Sequence, residues 1–466
     1  MVTFTARRSE PELVAPARPT PRETKALSDL DDQWTLRYYE TVVGFFRVSP
    51  RMAGGLSWAG GNNVAAMVIR AAVAEALVYY YPVAGRLRAL RPGGNKLAVD
   101  CTAEGVVFVE ATADVRLDEL GQPLLPPYPC VEEFLGDAGD TRAILDKPLL
   151  FLQVTQLKCG GFVIGLHMCH CIFDAFGLLQ FIKTIAGFAG GEPVPSTMPV
   201  WGRDHQLFTA RTPPSVAHVY PAYKPILDGL DRTGDDVMLT TPPESMVMRY
   251  FRFGPEEISL LRGLIPPHLV RSTTSFELLT AVMWRCRTVA LGYEPHHRVR
   301  LTFTLNLRGR LSSRDGAGGA AVQRGYYGNA HFSPMAVATV GELTRRPLAD
   351  TVELMSRAKG STTSECMASM VDLLASWREQ PAFPVDRTYE VSDTKWAAGG
   401  GALRCGVAEM VGGGTPFAGD LTSKLISYHM QCKDENGEDM TVVSMLLPEP
   451  AMERFTKEMS FWLKSY

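Results

Sequence analysis

The chain has 466 residues, of which 46% are hydrophobic and 21% charged. This is the composition of an ordinary globular protein, and it excludes disorder, collagen and coiled coil as global descriptions. The 47 Lys and Arg are matched by 50 Asp and Glu, so the formal net charge is −3. Without a basic surplus, no nucleic-acid partner is predicted.

Three further features of the sequence narrow the class of protein to which the chain can belong. No run of about 18 uncharged apolar residues occurs, so no membrane span is predicted. The N-terminal residues have no apolar core of signal-peptide length. The nine Cys are scattered along the chain rather than set at scaffold spacings. We therefore expect a reduced, cytoplasmic protein without a disulfide framework.

The first hundred residues alternate between strand and helix signals. Residues 35–48 (TLRYYETVVGFFRV) are rich in aromatic and β-branched side chains, which favour a strand. Asn62 or Asn63 can cap a helix that runs to about Tyr80. On that helix one apolar face is predicted, made of Met67, Val68, Ala71 and Ala72.

Two hairpins and a helix are predicted next. Residues 97–101 and 106–111 form a pair of strands around Glu104-Gly105, and residues 149–157 and 162–169 form a second pair around Gly160-Gly161. Residues 176–188 (FGLLQFIKTIAGF) have helical apolar spacing. The segment between residue 169 and this helix therefore lies where a strand gives way to a helix.

The composition changes after residue 192. Residues 192–246 are rich in Pro, Asp and Thr and have weak periodicity, which predicts a long crossover. Beyond it, strands are expected at 246–253, 298–307 and 388–392, and helices at 256–264, 275–291, 349–359 and 451–463. Thr274 and Glu277 fit a capping box, and residues 433–439 turn a hairpin.

The main candidate for chemistry is His170, with Asp174 four residues later. An imidazole can take a proton from a nucleophile near neutral pH, and a carboxylate can orient that ring or hold the loop through an ion pair. The alternative is a core histidine whose hydrogen bonds are satisfied.

A zinc site is a further alternative, because potential ligands crowd this segment: His167, Cys169, His170, Cys171 and Asp174. Alternation along a strand opposes zinc, since His167 and Cys169 face one side and His170 the other. No metal is therefore predicted.

Three other motifs, taken together with this one, give a resemblance. They are YYPVAGRL at 80–87, LNLRGRL at 305–311 and GYYGN at 325–329, and CTAEGVVFVEA at 101–111 joins them. In this order they resemble the plant BAHD acyltransferases, the acyl-CoA-dependent family with the His-x-x-x-Asp signature. The strongest likeness is to members that acylate alcohols with benzoyl, acetyl or hydroxycinnamoyl groups.

The resemblance implies a fold, a reaction and a division of the chain. The fold is α/β: two similar domains with mixed sheets, related to chloramphenicol acetyltransferase, with a solvent channel between them. The division is an N-terminal domain at 1–195, a crossover at 196–245 and a C-terminal domain on the coenzyme A side at 246–466. The protein is expected to be a monomer that binds acyl-CoA as a co-substrate together with an alcohol, or an amine, and holds no permanent cofactor.

The resemblance also implies residue roles. His170 is the general base, and Asp174 is structural, paired with Arg308 of the Asn-x-Arg motif. Ser392 is a candidate oxyanion or acceptor contact. Thr274 and Ser275, at a helix N-terminus, are candidates for binding coenzyme A, although a simple cap explains them equally well.

Two departures from the family pattern stand out. Ala175 follows Asp174 where the family has Gly, and the family's Asp-Phe-Gly-Trp-Gly motif is missing. Its slot is assigned to residues 408–412 (AEMVG). The family motif is remote from the channel, so its loss is expected to affect stability or coenzyme A affinity more than proton transfer. It also leaves open a second reading, in which the chain is a catalytically weak or inactive ligand- or partner-binding homologue.

Overall fold

The computed structural model describes residues 2–48, 64–205, 207–217, 235–309, 321–378, 385–395, 403–406, 408–416 and 424–463. Within these ranges it contains nineteen strands, most of them in two large mixed sheets. In chain order the strands are β1 Ala6–Arg8, β2 Glu12–Val14, β3 Thr24–Ala26, β4 Tyr39–Val48, β5 Arg86–Ala89, β6 Leu97–Asp100, β7 Val106–Ala113, β8 Leu150–Leu157, β9 Phe162–Cys169, β10 Met246–Phe253, β11 Arg298–Phe303, β12 Leu305–Asn306, β13 His331–Phe332, β14 Met335–Thr339, β15 Thr388–Asp393, β16 Arg404–Cys405, β17 Ala408–Gly414, β18 Ile426–Lys433 and β19 Asp439–Pro448.

Helices cover the sheets, and six of them match the sequence predictions, whereas the helix Ser364–Ser376 was not predicted. The α-helices are α1 Val64–Tyr79, α2 Ala175–Ala189, α3 Val237–Thr240, α4 Pro255–Arg262, α5 Pro267–Val270, α6 Ser275–Leu291, α7 Val340–Arg345, α8 Leu348–Gly360, α9 Ser364–Ser376 and α10 Glu449–Trp462. None of these described helices is both long and apolar enough to cross a bilayer.

The first large sheet has the strand order β1-β7-β8-β9-β4-β17-β16, with β2 also paired to β7. Helices α1 and α2 pack on it, and buried residues such as Ile69, Leu152 and Phe181 form one continuous core. The predicted hairpin of residues 149–157 and 162–169 is confirmed as antiparallel β8 and β9.

The second large sheet has the order β10-β19-β18-β15-β11-β14. One face carries α6, α8 and α10, and its core includes Trp284, Tyr389 and Phe455. Strand β15 pairs in parallel with both β11 and β18, so this sheet is mixed. The predicted α/β fold with mixed sheets is confirmed.

The first sheet includes strands from the second half of the chain. Strand β17, from the second half of the chain, pairs antiparallel with β4 and so extends the first sheet. The approach is close, because a Cβ added at Gly413 would meet the carbonyl oxygen of Val43 at 2.3 Å. The division into domains at 195 and 246 stays a prediction.

Two local predictions are wrong. Residues 97–101 and 106–111 do not form a hairpin, because β6 pairs with β3 and β5. Strand β7 instead has β8 on one side and β1 and β2 on the other, so no edge is left for β6.

The predicted face of α1 is also wrong in part. Met67 is 59% exposed and Ala71 is exposed, whereas Ala65, Ile69 and Val73 are buried. The helix is apolar almost all round, so its sequence gives little information on which side faces the sheet. The proposed caps Asn62 and Asn63 lie outside the described residues.

Candidate active site

His170 lies directly after β9, at the junction with α2 that the sequence predicted. Its backbone N–H donates to the carbonyl oxygen of Tyr38 at 2.9 Å. Its own carbonyl oxygen accepts a hydrogen bond from Nδ2 of Asn329 at 2.8 Å. Both bonds hold the backbone, so the position of the ring is set by neighbours from two distant parts of the chain.

The ring lines a cavity of about 340 Å³. The walls come from β4 and β9 of the first sheet and from β11, β15 and β18 of the second. Lining side chains include Tyr38, Glu40, His170, Thr302, Glu390, Ser392 and Tyr428. The cavity therefore lies between the two sheets and is large enough for part of a small-molecule substrate.

The imidazole of His170 is not a satisfied core histidine. Its Nδ1 is buried and has no hydrogen-bond partner among the residues the structure describes. The rings of Tyr38 and His331 lie 5.5 and 6.4 Å away, centroid to centroid. Burial lowers the pKa of His331 to about 4, so this neighbour is neutral near pH 7.

Asp174 caps the N-terminus of α2 and binds Arg308. Its Oδ1 accepts from the Gly177 N–H at 2.8 Å, and its Oδ2 accepts from the Ala330 N–H at 3.0 Å. The guanidinium of Arg308 completes the set through two hydrogen bonds, of 2.6 and 3.1 Å. Burial would raise the pKa of this carboxyl, but Arg308 and the backbone donors hold it below its usual value.

A second buried ion pair was missed by sequence reasoning. Nη1 of Arg203 donates to Oδ1 of Asp31 at 2.6 Å, and Nη2 donates to the Ile172 carbonyl oxygen at 2.7 Å. Asn329 donates to the same Asp31 oxygen through its backbone N–H and its Nδ2, at 2.9 and 2.8 Å. Because Asn329 also donates to the carbonyl oxygen of His170, the Asp31–Arg203 pair is connected to the loop that carries His170.

The pattern of the sequence contains no signal for this network. Asp31 and Arg203 are separated by 172 residues, and Asp31 and Asn329 by 298. Asn329 belongs to the GYYGN motif at 325–329, whereas Asp31 and Arg203 belong to none of the motifs described above.

Glu40 is a further cavity residue that sequence reasoning missed. The hydroxyls of Tyr38 and Tyr428 donate to its Oε2 at 2.7 and 3.0 Å. Burial raises the pKa of Glu40, and the nearby His170 and the two hydroxyls act in the opposite direction. Glu40 and His170 line the same cavity, and Tyr38 contacts both side chains.

The remaining predicted site residues are divided between two places. Ser392 lines the cavity with His170, on the face of β15 turned away from the helices. Thr274 instead caps α6: its hydroxyl accepts from the Glu277 N–H and donates to the Glu277 carboxylate. Thr274 and Ser275 do not belong to the described lining of the cavity. Their binding of coenzyme A stays a prediction.

The crowded His, Cys and Asp side chains of residues 167–174 do not form a metal site among the described residues. In the part of the chain that the structure describes, no group of three or more potential metal ligands comes together. His167 contacts Thr41 Oγ1 at 2.9 Å and the Gly136 carbonyl oxygen at 3.0 Å, on the side of β9 away from His170.

The slot assigned to the missing family motif is part of strand β17. Residues 409–412 line a separate cleft of about 800 Å³ together with Arg47 and Leu124. They are not among the described residues that line the His170 cavity.

Comparison with known proteins defines the class. A family model described as "Transferase family" matches residues 1–462, and the matched relatives are named as acyltransferases. Two mixed sheets enclosing a histidine-bearing cavity agree with that class, so the protein is an acyltransferase. More narrowly, the chain belongs to the BAHD family of plant acyltransferases.

The chain is 60% identical to Acyl transferase 1 of Oryza sativa subsp. japonica, over 99% of this chain and 97% of the relative. It is 48% identical to Spermidine hydroxycinnamoyltransferase 1 of the same subspecies, over 94% of each chain. Benzyl alcohol O-benzoyltransferase of Petunia hybrida is 43% identical, over 99% of this chain and 95% of the relative.

Among solved structures, vinorine synthase has the same fold. It superposes with a TM-score of 0.71 at 18% sequence identity and covers 99% of each chain. At this identity the likeness concerns the fold alone.

Proposed function

We propose that the protein transfers an acyl group from a coenzyme A thioester to the hydroxyl of a small-molecule alcohol, with His170 as the general base. The observation that carries this proposal is the His170 ring, which lines an inter-sheet cavity while its Nδ1 has no hydrogen-bond partner within the described part of the chain. The expected acyl groups are hydroxycinnamoyl, benzoyl and acetyl.

In the proposed reaction, His170 takes the hydroxyl proton as the acceptor oxygen attacks the thioester carbonyl carbon. The carbon–sulfur bond then breaks, and the imidazolium returns its proton to the departing thiolate. No acyl-enzyme forms, so no Ser or Cys nucleophile is needed. General-base action of this kind contributes about 10²–10⁴-fold to a rate.

Ser392 is the proposed donor to the oxyanion or to the acceptor. Ser392 belongs to the cavity lining and lies on the strand face that is turned toward the first sheet. A donor aimed at the developing oxyanion lowers the barrier because it binds the transition state more tightly than the ground state.

An aliphatic amine is a second candidate acceptor. It is favoured by the relative named for spermidine, which is 48% identical to this chain. The same base and the same leaving thiolate serve both acceptors, because the attacking atom loses one proton in either case.

The test is release of free thiol. The purified protein is incubated with acetyl-, benzoyl-, p-coumaroyl- or feruloyl-CoA and a panel of alcohols and amines, and products are identified by mass. We expect acceptor-dependent thiol release and an ester or amide product.

The matched variants are His170→Ala and His268→Ala, the second of which changes an exposed histidine. His170→Ala should lower kcat about 10²–10⁴-fold, with an unchanged melting temperature, and His268→Ala should not. Absence of thiol release with every donor would contradict the proposal, and so would full activity of the His170 variant.

A further inference from the structure

The cavity beside His170 is acidic. Four carboxyl side chains line it: Glu40, Asp174, Glu390 and Asp393. The lining formed by the described residues includes no Lys or Arg. A cavity of this charge attracts cations and repels anions.

Three of the four carboxyls already have partners, two of them cationic. Asp174 is paired with Arg308. Asp393 lies 3.8 Å from Nζ of Lys395 and accepts from the Lys395 N–H. Glu40 is bonded to the hydroxyls of Tyr38 and Tyr428.

Glu390 differs from the other three. Among the described residues it has no ion-pair or hydrogen-bond partner for its carboxyl. Burial raises its pKa to about 7, because the desolvated environment disfavours the charged form. A carboxyl in this state gains most from a cation brought by a ligand.

The strand geometry directs Glu390 into the cavity. Its neighbours on β15, Tyr389 and Val391, are 1% and 0% exposed and pack into the core of the second sheet. Side chains alternate along a strand, so Glu390 and Ser392 share the opposite face, which is turned toward the first sheet.

The register places this pair relative to His170. Ser392 lies opposite Tyr428, whose hydroxyl reaches Glu40 beside His170. Glu390 lies two residues before Ser392 on the same face of β15, at a distance of about 7 Å along the strand. An acceptor whose nucleophile is at His170 could therefore extend a second group toward Glu390.

We propose that the cavity binds acceptors that carry an aliphatic ammonium group at a distance from the nucleophilic atom, and that Glu390 is the residue that binds this ammonium. The inference rests on the proposed acyl transfer and names the class of acceptor. The transfer itself is unchanged: the acceptor oxygen bonds to the acyl carbon, the carbon–sulfur bond breaks, the proton passes through His170 to the thiolate, and the ammonium does not react.

The test compares acceptors that differ in charge but match in shape. One series is ω-dimethylamino alcohols with two to six methylene groups, whose tertiary amine is protonated near neutral pH and gives no stable amide. The other replaces nitrogen by carbon, so that 3-dimethylamino-1-propanol is matched by 4-methyl-1-pentanol. The measured quantity is the ratio of kcat/KM between the members of each pair.

Glu390→Gln removes the charge and keeps the size of the side chain, and Glu438→Gln, in an exposed turn, is the matched control. In the wild-type protein we expect the charged member to be preferred by about tenfold or more at the best chain length. In Glu390→Gln the ratio should fall to near one, and in Glu438→Gln it should stay at the wild-type value. Both kcat/KM values of a pair are measured on the same protein sample. A smaller amount of folded protein lowers both values equally and leaves their ratio unchanged.

Three other results would each contradict a different part of the proposal. Preference for the carbon series at every length overturns the ammonium proposal and leaves acyl transfer intact. A charged-series preference that survives Glu390→Gln overturns the role of Glu390. Absence of thiol release with both series overturns the acyl transfer to alcohols and this inference with it.

Discussion

The carboxylate of Asp174 is bonded to the guanidinium of Arg308 rather than to the imidazole of His170, four residues earlier. The two hydrogen bonds, of 2.6 and 3.1 Å, join residues 134 positions apart. Arg308 also donates to the Gly328 carbonyl oxygen at 2.8 Å, so the pair ties the histidine loop to the turn at 325–329. This is the arrangement expected if Asp174 has a structural role in the loop that carries His170.

The first prediction concerns the energy of this pair. Asp174→Asn keeps a side chain that caps α2, since Asn caps about as well as Asp, but leaves Arg308 without its partner. Breaking a largely buried pair by removing one partner costs about 3–5 kcal/mol. We expect a loss of this size in the free energy of unfolding, measured by urea denaturation.

The control for this prediction is the double variant Asp174→Asn with Arg308→Met. Removing both charges should recover part of the loss, because no uncompensated charge is left. Equal stability of Asp174→Asn and the wild-type protein would mean that the pair contributes nothing.

The second prediction is the pH dependence of the same pair. The folded-state pKa of Asp174 is lowered, so its contribution is fully present above the unfolded-state value of 3.8 and is lost as the pH falls through the lower folded value. The stability difference between the wild-type protein and Asp174→Asn should therefore be constant from pH 7 to about 5 and shrink below about 4. Urea denaturation at several pH values measures it. A difference that grows on acidification would show that the sign is wrong.

The sequence was sufficient to place His170 because the signals there are local. The strands at 150–157 and 162–169 are joined by a short turn containing Gly160 and Gly161, and Asp174 caps the following helix. Each of these features is contained within a few residues. The location of a histidine between a strand and a helix could therefore be predicted without any long-range information.

The rest of the site depends on contacts between distant residues. Asp31, Arg203 and Asn329 meet behind the loop, and Glu40 meets Tyr428 across 388 positions. No periodicity or spacing marks such pairs. The same reason explains the wrong hairpin at 97–111, since the partners of β7 come from both ends of the N-terminal half.

The third prediction concerns the contact between α2 and the turn at 325–329. A Cβ at Gly177 would meet the carbonyl oxygen of Tyr327 at 1.9 Å. Backbone atoms cannot yield as a flexible side chain can, so Gly177→Ala must push the helix away from the turn. We expect a loss of about 2–3 kcal/mol in the free energy of unfolding and a lower kcat.

Gly190→Ala at the other end of the same helix is the matched control. The nearest atom to its added Cβ is 3.3 Å away, and the residue is exposed. Urea denaturation should show a change near zero for this variant. A comparable loss in both variants would trace the effect to loss of glycine rather than to the contact with Tyr327.

The last prediction concerns Glu40 and the charge that forms on His170 during the reaction. When the ring takes up the acceptor proton it becomes a cation, which an ionised Glu40 would stabilise, since both side chains line the same cavity. Glu40→Gln keeps the hydrogen bonds to Tyr38 and Tyr428 possible but removes the charge. With an effective dielectric constant near 20, the loss corresponds to a decrease in kcat of about tenfold to a hundredfold. Tyr428→Phe, which removes one hydroxyl and keeps the carboxylate, should have a smaller effect. Steady-state kinetics with saturating acyl-CoA separates kcat from KM, and an unchanged kcat in Glu40→Gln would show that this carboxylate does not assist the histidine.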